Sequence, residues 1–174
     1  MNRFPCRFGR IGMLLLLLLS ACATVPPELQ GPVVPATLAE VRAHPDDYRG
    51  RQVRWGGTIL KLENGEKETR IQILARPLDR SGRPRLNVEP EGRFLAVTPA
   101  FLDPEIYPRG RELTVIGRID GTAEITVGKR TIRVPVVAAE RWHLWPKRES
   151  NPPVMVYPYF RYWWYYPWGP CCWY

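Results

Sequence analysis

Four acidic residues could supply the paired carboxylates of a hydrolase: Asp46, Asp47, Asp103 and Glu105. A glycoside hydrolase needs two carboxyl groups held about 5 to 10 Å apart across a cleft. Both aspartate sites adjoin a proline, however. Short polar side chains beside proline are typical of turns, because they hydrogen-bond to nearby backbone. We therefore interpret these carboxylates as turn residues.

The chain has only two histidines, His44 and His143. A nucleophilic site needs a base beside Ser, Cys or Thr, and no Gly-x-Ser-x-Gly motif occurs. A zinc site needs three or four ligands. His143 lies between Trp142 and Trp145 in a predicted strand, which favours a structural role. Motifs for phosphate loops, dinucleotides and haem are also missing. We predict no enzymatic activity, no cofactor, no metal and no small-molecule substrate.

Five arginines cluster between two predicted strands, and two interpretations of the cluster compete. The residues are Arg76, Arg80, Arg83, Arg85 and Arg93. They could form a loop that binds phosphates or carboxylates. They could also be solvated, with Glu89 and Glu91 as counter-charges. The second interpretation is favoured, because surface charge is common and weakly informative.

The first 21 residues have the layout of an export signal. Arg3, Arg7 and Arg10 precede the apolar run 11–19, and the small residues Ser20 and Ala21 follow it. The apolar run is shorter than the roughly 20 residues that span a bilayer. We predict a signal peptide over residues 1–21.

The segment Leu19-Ser20-Ala21-Cys22 resembles the lipobox of bacterial lipoproteins. That resemblance implies cleavage before Cys22, acylation of its thiol, and attachment to a membrane through the lipid. Ala23 favours the outer membrane, since enterobacterial-type sorting uses Asp there for inner-membrane retention. Loss of three arginines with the signal lowers the net charge from +8 to +5. This charge favours anionic lipid or glycan neighbours, and export excludes ordinary nucleic acid.

The remaining chain divides by composition into three parts. Residues 22–37 contain the lipidated cysteine and a proline-rich stretch that predicts an extended tether. Residues 38–148 form the predicted β-barrel domain. Residues 149–174 form an irregular tail, in which 11 of the last 18 residues are aromatic. Its rings predict an interface with a membrane or an envelope protein. The interface candidates are Trp163, Trp164, Tyr165, Tyr166 and Trp168. Cys171 and Cys172 could bind metal, join two chains or be incidental.

The barrel prediction rests on capping and alternation. Thr37 and Glu40 form a capping box for a short helix over residues 38–43. Asn64-Gly65 then predicts a two-residue hairpin turn that pairs Leu60 with Thr69. That register places Leu60, Leu62, Ile71 and Ile73 on one face, and a bulge near Gly56-Gly57 would turn Trp55 and Ile59 inward. Further short strands follow, and Pro135 indicates an edge or bulge. Five or six strands predict an all-β, OB-like barrel.

Several stretches together resemble the Slp family of starvation-inducible outer-membrane lipoproteins. They are His44–Gly50, Arg54–Gly57, Phe101–Tyr107, Thr114–Gly117 and Trp142–Trp145. The resemblance implies outer-membrane attachment and a small β-barrel, and it implies little about activity.

Three functions compete at this stage. The preferred one is a non-catalytic envelope lipoprotein that faces the periplasm and has a structural or binding role. An OB-type module for glycans or anions is the alternative, and aromatic residues such as Trp55 on the open face would favour it. An envelope hydrolase is the weakest, since it would need Asp103, Glu105 and His143 in one cleft.

Overall fold

The computed structural model describes residues 25–148. The predicted signal peptide, the lipobox with Cys22, and the aromatic tail lie outside the described residues. A 3-10 turn at Pro27–Leu29 comes first, followed by helix α1 and the one-turn helix α2. The helices are α1 (Leu38–Ala43) and α2 (Pro45–Tyr48). The strands are β1 (Gln52–Asn64), β2 (Thr69–Arg76), β3 (Gly92–Thr98), β4 (Glu112–Val127) and β5 (Arg130–Leu144).

The strands close into a barrel in the order β1-β2-β3-β5-β4, and β4 pairs back onto β1. All neighbours are antiparallel except β3 and β5, which are parallel. A five-stranded Greek-key barrel of this kind is the architecture of OB folds. The prediction of an all-β, OB-like barrel is therefore confirmed. Because β1 pairs with both β2 and β4, the described sheet has no free edge at its first strand.

The barrel closes where β1 pairs with two strands at once. Gly56, Gly57 and Thr58 each have a partner in β2 and another in β4. A Cβ atom at Gly57 would stand 1.9 Å from the carbonyl oxygen of Leu74. Glycine is needed there because neighbouring backbones approach so closely. The predicted bulge at this point is wrong, since the irregularity falls between Ile59 and Lys61.

The first hairpin has a different register from the predicted one. Asn64 pairs with Thr69, and residues 65–68 form the loop, closed by a 2.8 Å bond from the Gly65 amide to the Glu68 carbonyl. The Asn64 side chain instead makes a long-range hydrogen bond, in which its Nδ2 donates to the carbonyl of Leu102. The predicted two-residue turn is therefore wrong, and Ile59 rather than Leu60 joins the core.

Helix α1 begins as predicted. The Thr37 hydroxyl accepts a hydrogen bond from the Glu40 amide, and the Glu40 carboxylate accepts one from the Thr37 amide. Leu38 and Val41 are buried in the barrel core. A Cβ at Gly92 would meet Leu38 at 3.1 Å, so α1 covers the end of the barrel where β3 begins.

The second hairpin extends beyond the barrel as an arm. It turns at Gly128-Lys129, and the register of β4 and β5 shifts beside Pro135, as the proline predicted. Ile125 and Val134 of the arm pack on Leu95 of β3 and form a small apolar cluster. The arm therefore covers part of the outer face of β3.

The segment predicted as a tether packs against the barrel from Val25 onward. Leu29 is fully buried against Ile116 and Trp145. Two arginine side chains hold its backbone. Arg54 donates to the Leu29 carbonyl at 3.1 Å and Arg141 to the Gln30 carbonyl at 2.8 Å. The expectation that this stretch stands off as an extended spacer is wrong for residues 25–37, because burial of Leu29 outweighs the stiffness of its prolines.

Candidate functional site

The four acidic residues considered as paired carboxylates do not assemble into a cleft. Asp46 and Asp47 are exposed in the single turn of α2. Asp103 and Glu105 are also exposed, and the Asp103 carboxylate accepts a 2.9 Å bond from the Glu105 amide. The interpretation of Asp103 as a turn residue is confirmed. Within residues 25–148, no group of three His, Cys, Asp or Glu side chains could hold a metal ion.

His143 has a structural environment. Its Nδ1 lies 2.5 Å from the Glu28 carboxylate, and its ring meets the Trp145 ring edge-on at 4.3 Å. Hydrogen bonds from its own backbone amide and from His143 hold the pKa of Glu28 below its usual value. His44 is exposed at the end of α1. The two histidines therefore contribute to local structure rather than to a shared site.

The arginine-rich loop after β2 is partly ordered by long-range bonds. Arg76 donates to the carbonyls of Leu86 and Val88. Arg83 pairs with Glu112, 29 residues later in the chain. The expectation that Glu89 and Glu91 serve as counter-charges is therefore wrong for these two arginines. Arg80 and Arg85 remain exposed.

Glu112 lies at the centre of an ion-pair cluster. The residue starts β4, is 6% exposed and is held by two guanidinium groups. One carboxylate oxygen accepts from Arg83 Nε at 2.7 Å and from Arg148 Nη2 at 3.0 Å. The other accepts from Arg148 Nε at 2.7 Å and from Arg83 Nη2 at 3.3 Å. Burial alone would raise the pKa of Glu112, but these hydrogen bonds outweigh it and lower the pKa.

The same arginines also bind backbone carbonyls. Arg83 Nη2 donates to the Pro146 carbonyl at 2.7 Å, and Arg148 Nη2 donates to the Pro84 carbonyl at 2.9 Å. Each guanidinium thus links the loop after β2 to the chain that follows β5. Hydrogen bonding to Glu112 raises the pKa of Arg148 above its usual value, so the cluster keeps its charges at neutral pH.

Trp145 packs beside this cluster and is nearly buried. Its indole Nε1 donates to the Thr114 hydroxyl at 2.9 Å, and that hydroxyl donates to the Gly82 carbonyl at 2.8 Å. The Arg83 guanidinium lies 5.6 Å from the Trp145 ring centroid, within cation–π range. Trp145 therefore fixes both the loop and the chain that leaves β5.

Both ends of the described chain meet at this loop. A Cβ at Gly82 would lie 3.8 Å from Val25, and Arg148 bonds to Pro84 two residues further on. We call the surface formed by Val25, residues 79–85 and residues 146–148 the termini face. Cys22 stands three residues before Val25, and the predicted tail starts at residue 149. Glu112, which anchors this face, was missed from the sequence because its partners are distant in the chain.

The outer face that OB folds use for ligands is less favourable here. A cleft of about 240 Å³ lies between the arm and β1–β2, lined by charged, polar and aliphatic residues. None of these lining residues is aromatic. Trp55 lies elsewhere, with its ring edge-on to Phe94 in the core and its Nε1 bonded to the Ala36 carbonyl at 2.8 Å. The condition that would favour the glycan-binding alternative, an aromatic residue such as Trp55 on this cleft, is therefore not met.

The model of the outer membrane lipoprotein Slp family matches residues 19–170. The chain belongs to the Slp family. It is 34% identical over 149 residues to the uncharacterized lipoprotein YeaY of Escherichia coli K12, covering 83% of this chain and 76% of that one. It is 29% identical over 167 residues to the outer membrane protein Slp of the same strain, covering 92% and 88%.

A solved structure shows only a loose likeness. The small single-stranded DNA-binding protein from Streptomyces coelicolor is 12% identical, with a TM-score of 0.36, covering 55% of this chain and 94% of that one. At that TM-score the likeness carries no argument about function.

Family membership confirms two predictions from the sequence. The chain is an outer-membrane lipoprotein, and the stretches from His44 to Trp145 that resembled the Slp family lie within the matched region. Helices long and apolar enough to cross a membrane do not occur between residues 25 and 148. In this Slp-family chain, the termini face is the described surface nearest in sequence to the lipobox.

Proposed function

We propose that this Slp-family chain is a lipid-anchored, non-catalytic module with a structural or binding role in the cell envelope, and that its barrel faces the periplasm. One observation carries the proposal: the chain packs on the barrel from Val25, three residues after Cys22. Three residues span at most about 11 Å. Lipid on Cys22 would therefore hold the barrel directly at the membrane.

The proposed division of the chain follows from this anchor. Residues 1–21 are the signal peptide, and Cys22 carries the lipid. Residues 38–148 are the barrel domain, and the tail supplies Trp163, Trp164, Tyr165, Tyr166 and Trp168 as an interface. Tyr and Trp combine an apolar body with a polar edge, which suits a membrane surface or a protein partner.

The non-catalytic role has support from the described side chains. Each acidic residue or histidine considered for catalysis has a local structural partner or stands exposed. An enzyme site would need a nucleophile, a base and an orienting group within hydrogen-bond reach. The glycan-binding alternative has less support, because sugar rings stack on aromatic faces and the cleft beside the arm has only polar and aliphatic residues.

The test of the anchor is Cys22→Ala. We expect this variant to lose labelled palmitate and to leave the outer-membrane fraction, because no other residue offers a thiol at the cleavage site. A variant with Cys171→Ala and Cys172→Ala is the matched control and should keep the label. Equal palmitate incorporation into the Cys22→Ala variant would refute the anchor.

The periplasmic orientation has a separate test. Whole cells and cells with a permeabilised outer membrane are treated with protease, and the barrel is followed by antibody. We expect cleavage only after permeabilisation. Cleavage in intact cells would place the barrel on the cell surface.

A further inference from the structure

The termini face carries excess positive charge. Arg80, Arg85 and Lys147 are exposed on it, and Arg83 and Arg148 are partly exposed. Its acidic groups are used internally. Glu112 is enclosed by two guanidinium groups, and Asp79 Oδ1 accepts bonds from the Ser81 amide, the Ser81 hydroxyl and the Arg83 amide. Five cations therefore face two occupied carboxylates.

The position of this face in the molecule indicates what it meets. Cys22 lies within about 11 Å of Val25, since three residues cannot reach further. The bonds of Arg83 and Arg148 hold the loop and residues 146–148 together beside that point. A lipid on Cys22 would thus bring the exposed cations to the height of the head groups.

We infer that the termini face contacts the anionic phospholipid head groups of the membrane that holds the lipid anchor. This inference rests on the proposed function, because the anchor selects this face among the basic surfaces. Each Lys or Arg near an anionic surface strengthens binding about fivefold. The contact orients the barrel on the membrane, so that the face bearing the arm points away from the bilayer.

The tip of the arm offers a matched control. Lys129, Arg130 and Arg133 are exposed cations that match Arg80, Arg85 and Lys147 in number and kind. They lie on the hairpin that covers the opposite part of the sheet, over β3. If the membrane attracted the protein only through its overall positive charge, the termini-face cations and the arm cations would contribute equally to binding. An oriented contact would depend on the termini-face cations alone.

The experiment uses the mature chain, residues 22–174, with Cys22→Ser to remove the lipid. Sedimentation with vesicles of phosphatidylethanolamine containing about a quarter phosphatidylglycerol measures the contact, and phosphatidylcholine vesicles are the neutral comparison. We expect the triple variant Arg80→Gln, Arg85→Gln, Lys147→Gln to bind at least about tenfold more weakly. The variant Lys129→Gln, Arg130→Gln, Arg133→Gln should stay within about twofold of the parent. Circular dichroism checks that both variants fold.

Three outcomes would overturn the inference: equal loss in both triple variants, no loss in the termini-face variant, or equal binding to neutral vesicles. Competition by millimolar inorganic phosphate would also overturn it, because a discrete phosphate site would then replace the membrane contact. The chain in this experiment has no lipid, so its result is separate from that of the palmitate test.

Discussion

Glu28 Oε1 and His143 Nδ1 lie 2.5 Å apart and join the N-terminal segment to the last strand of the barrel. The pair joins residues that are 115 positions apart in sequence. Leu29, which follows Glu28, is fully buried. The segment next to the proposed lipidation site is thus held by a side-chain pair, a buried leucine and two arginine–carbonyl bonds.

The first prediction concerns this attachment. His143→Ala removes the partner of Glu28, so we expect faster amide hydrogen exchange at residues 28–31 and little change within the core strands. His44→Ala is the control, since His44 is exposed at the end of α1. The same exchange profile in both variants would show that the pair does not hold the segment.

Glu112→Gln should destabilise the barrel. Loss of the charge leaves Arg83 and Arg148 without their carboxylate, so we expect the free energy of unfolding to fall by about 2 to 4 kcal/mol. Glu140→Gln is the control: Glu140 pairs with Arg118 at 3.1 Å on an exposed surface, and its loss should cost at most about 0.5 kcal/mol. Urea denaturation measures both variants. Equal small losses of unfolding free energy in both variants would show that the Glu112 cluster stabilises the barrel no more than an exposed ion pair does.

Acid should weaken the fold through the same residue. The pKa of Glu112 in the folded barrel lies below its ordinary value of 4.5. Its contribution is fully present above that ordinary value and is lost as the pH falls through the folded pKa. Urea titrations between about pH 7 and about pH 3 should show stability declining in this acid range. Glu112→Gln should flatten the decline, and an unchanged slope would contradict the assignment.

Gly57→Ala should prevent the barrel from closing. The new Cβ would stand 1.9 Å from the Leu74 carbonyl oxygen, and both neighbouring strands block relief. We expect a loss of more than about 4 kcal/mol or failure to fold, seen by circular dichroism. Gly65→Ala is the matched control, because its Cβ would stand 3.2 Å from the Glu68 carbonyl in a loop. A stable Gly57→Ala variant would refute the close approach.

The tail has its own prediction. Deletion of residues 150–174 from the unlipidated mature chain should leave the melting temperature nearly unchanged and weaken binding to vesicles or envelope partners, because the aromatic rings suit an interface. A clear fall in melting temperature with unchanged binding would mean that the tail covers the barrel. Equal binding by both forms would remove the interface hypothesis.

Features set by neighbouring residues could be predicted from the sequence. Thr37 and Glu40 cap α1 as expected, since a capping box involves residues three apart. Pro135 likewise indicated the irregularity that lies beside it in the second hairpin. The two-residue turn predicted at Asn64-Gly65 does not form, because the Asn64 side chain donates a hydrogen bond to the Leu102 carbonyl, 38 residues away. The resulting four-residue loop also places Glu63 opposite Arg70, an electrostatically favourable pair.

The candidate site was less predictable than the fold. Glu112 receives bonds from residues 29 positions before it and 36 after it. The arginine cluster was visible in the sequence, but Arg83 was expected to pair with Glu89 and Glu91 because these two glutamates are close in sequence. Distant pairings of this kind depend on the closed barrel, and local patterns do not encode them.

The parallel pairing of β3 with β5 bears on how the chain folds after export. β1 pairs with β4, some 60 residues later in the chain, for example at Gln52 and Arg118. β3 pairs with β5 at Leu95 and Val136. Such non-local pairings fold slowly because long loops must close first. A polypeptide that crosses the inner membrane from its N-terminus therefore exposes β1 to β3 while the strands that complete the sheet are still in transit. Before β5 emerges, β3 lacks one of its two neighbours, and its unpaired edge is open to pairing with another chain.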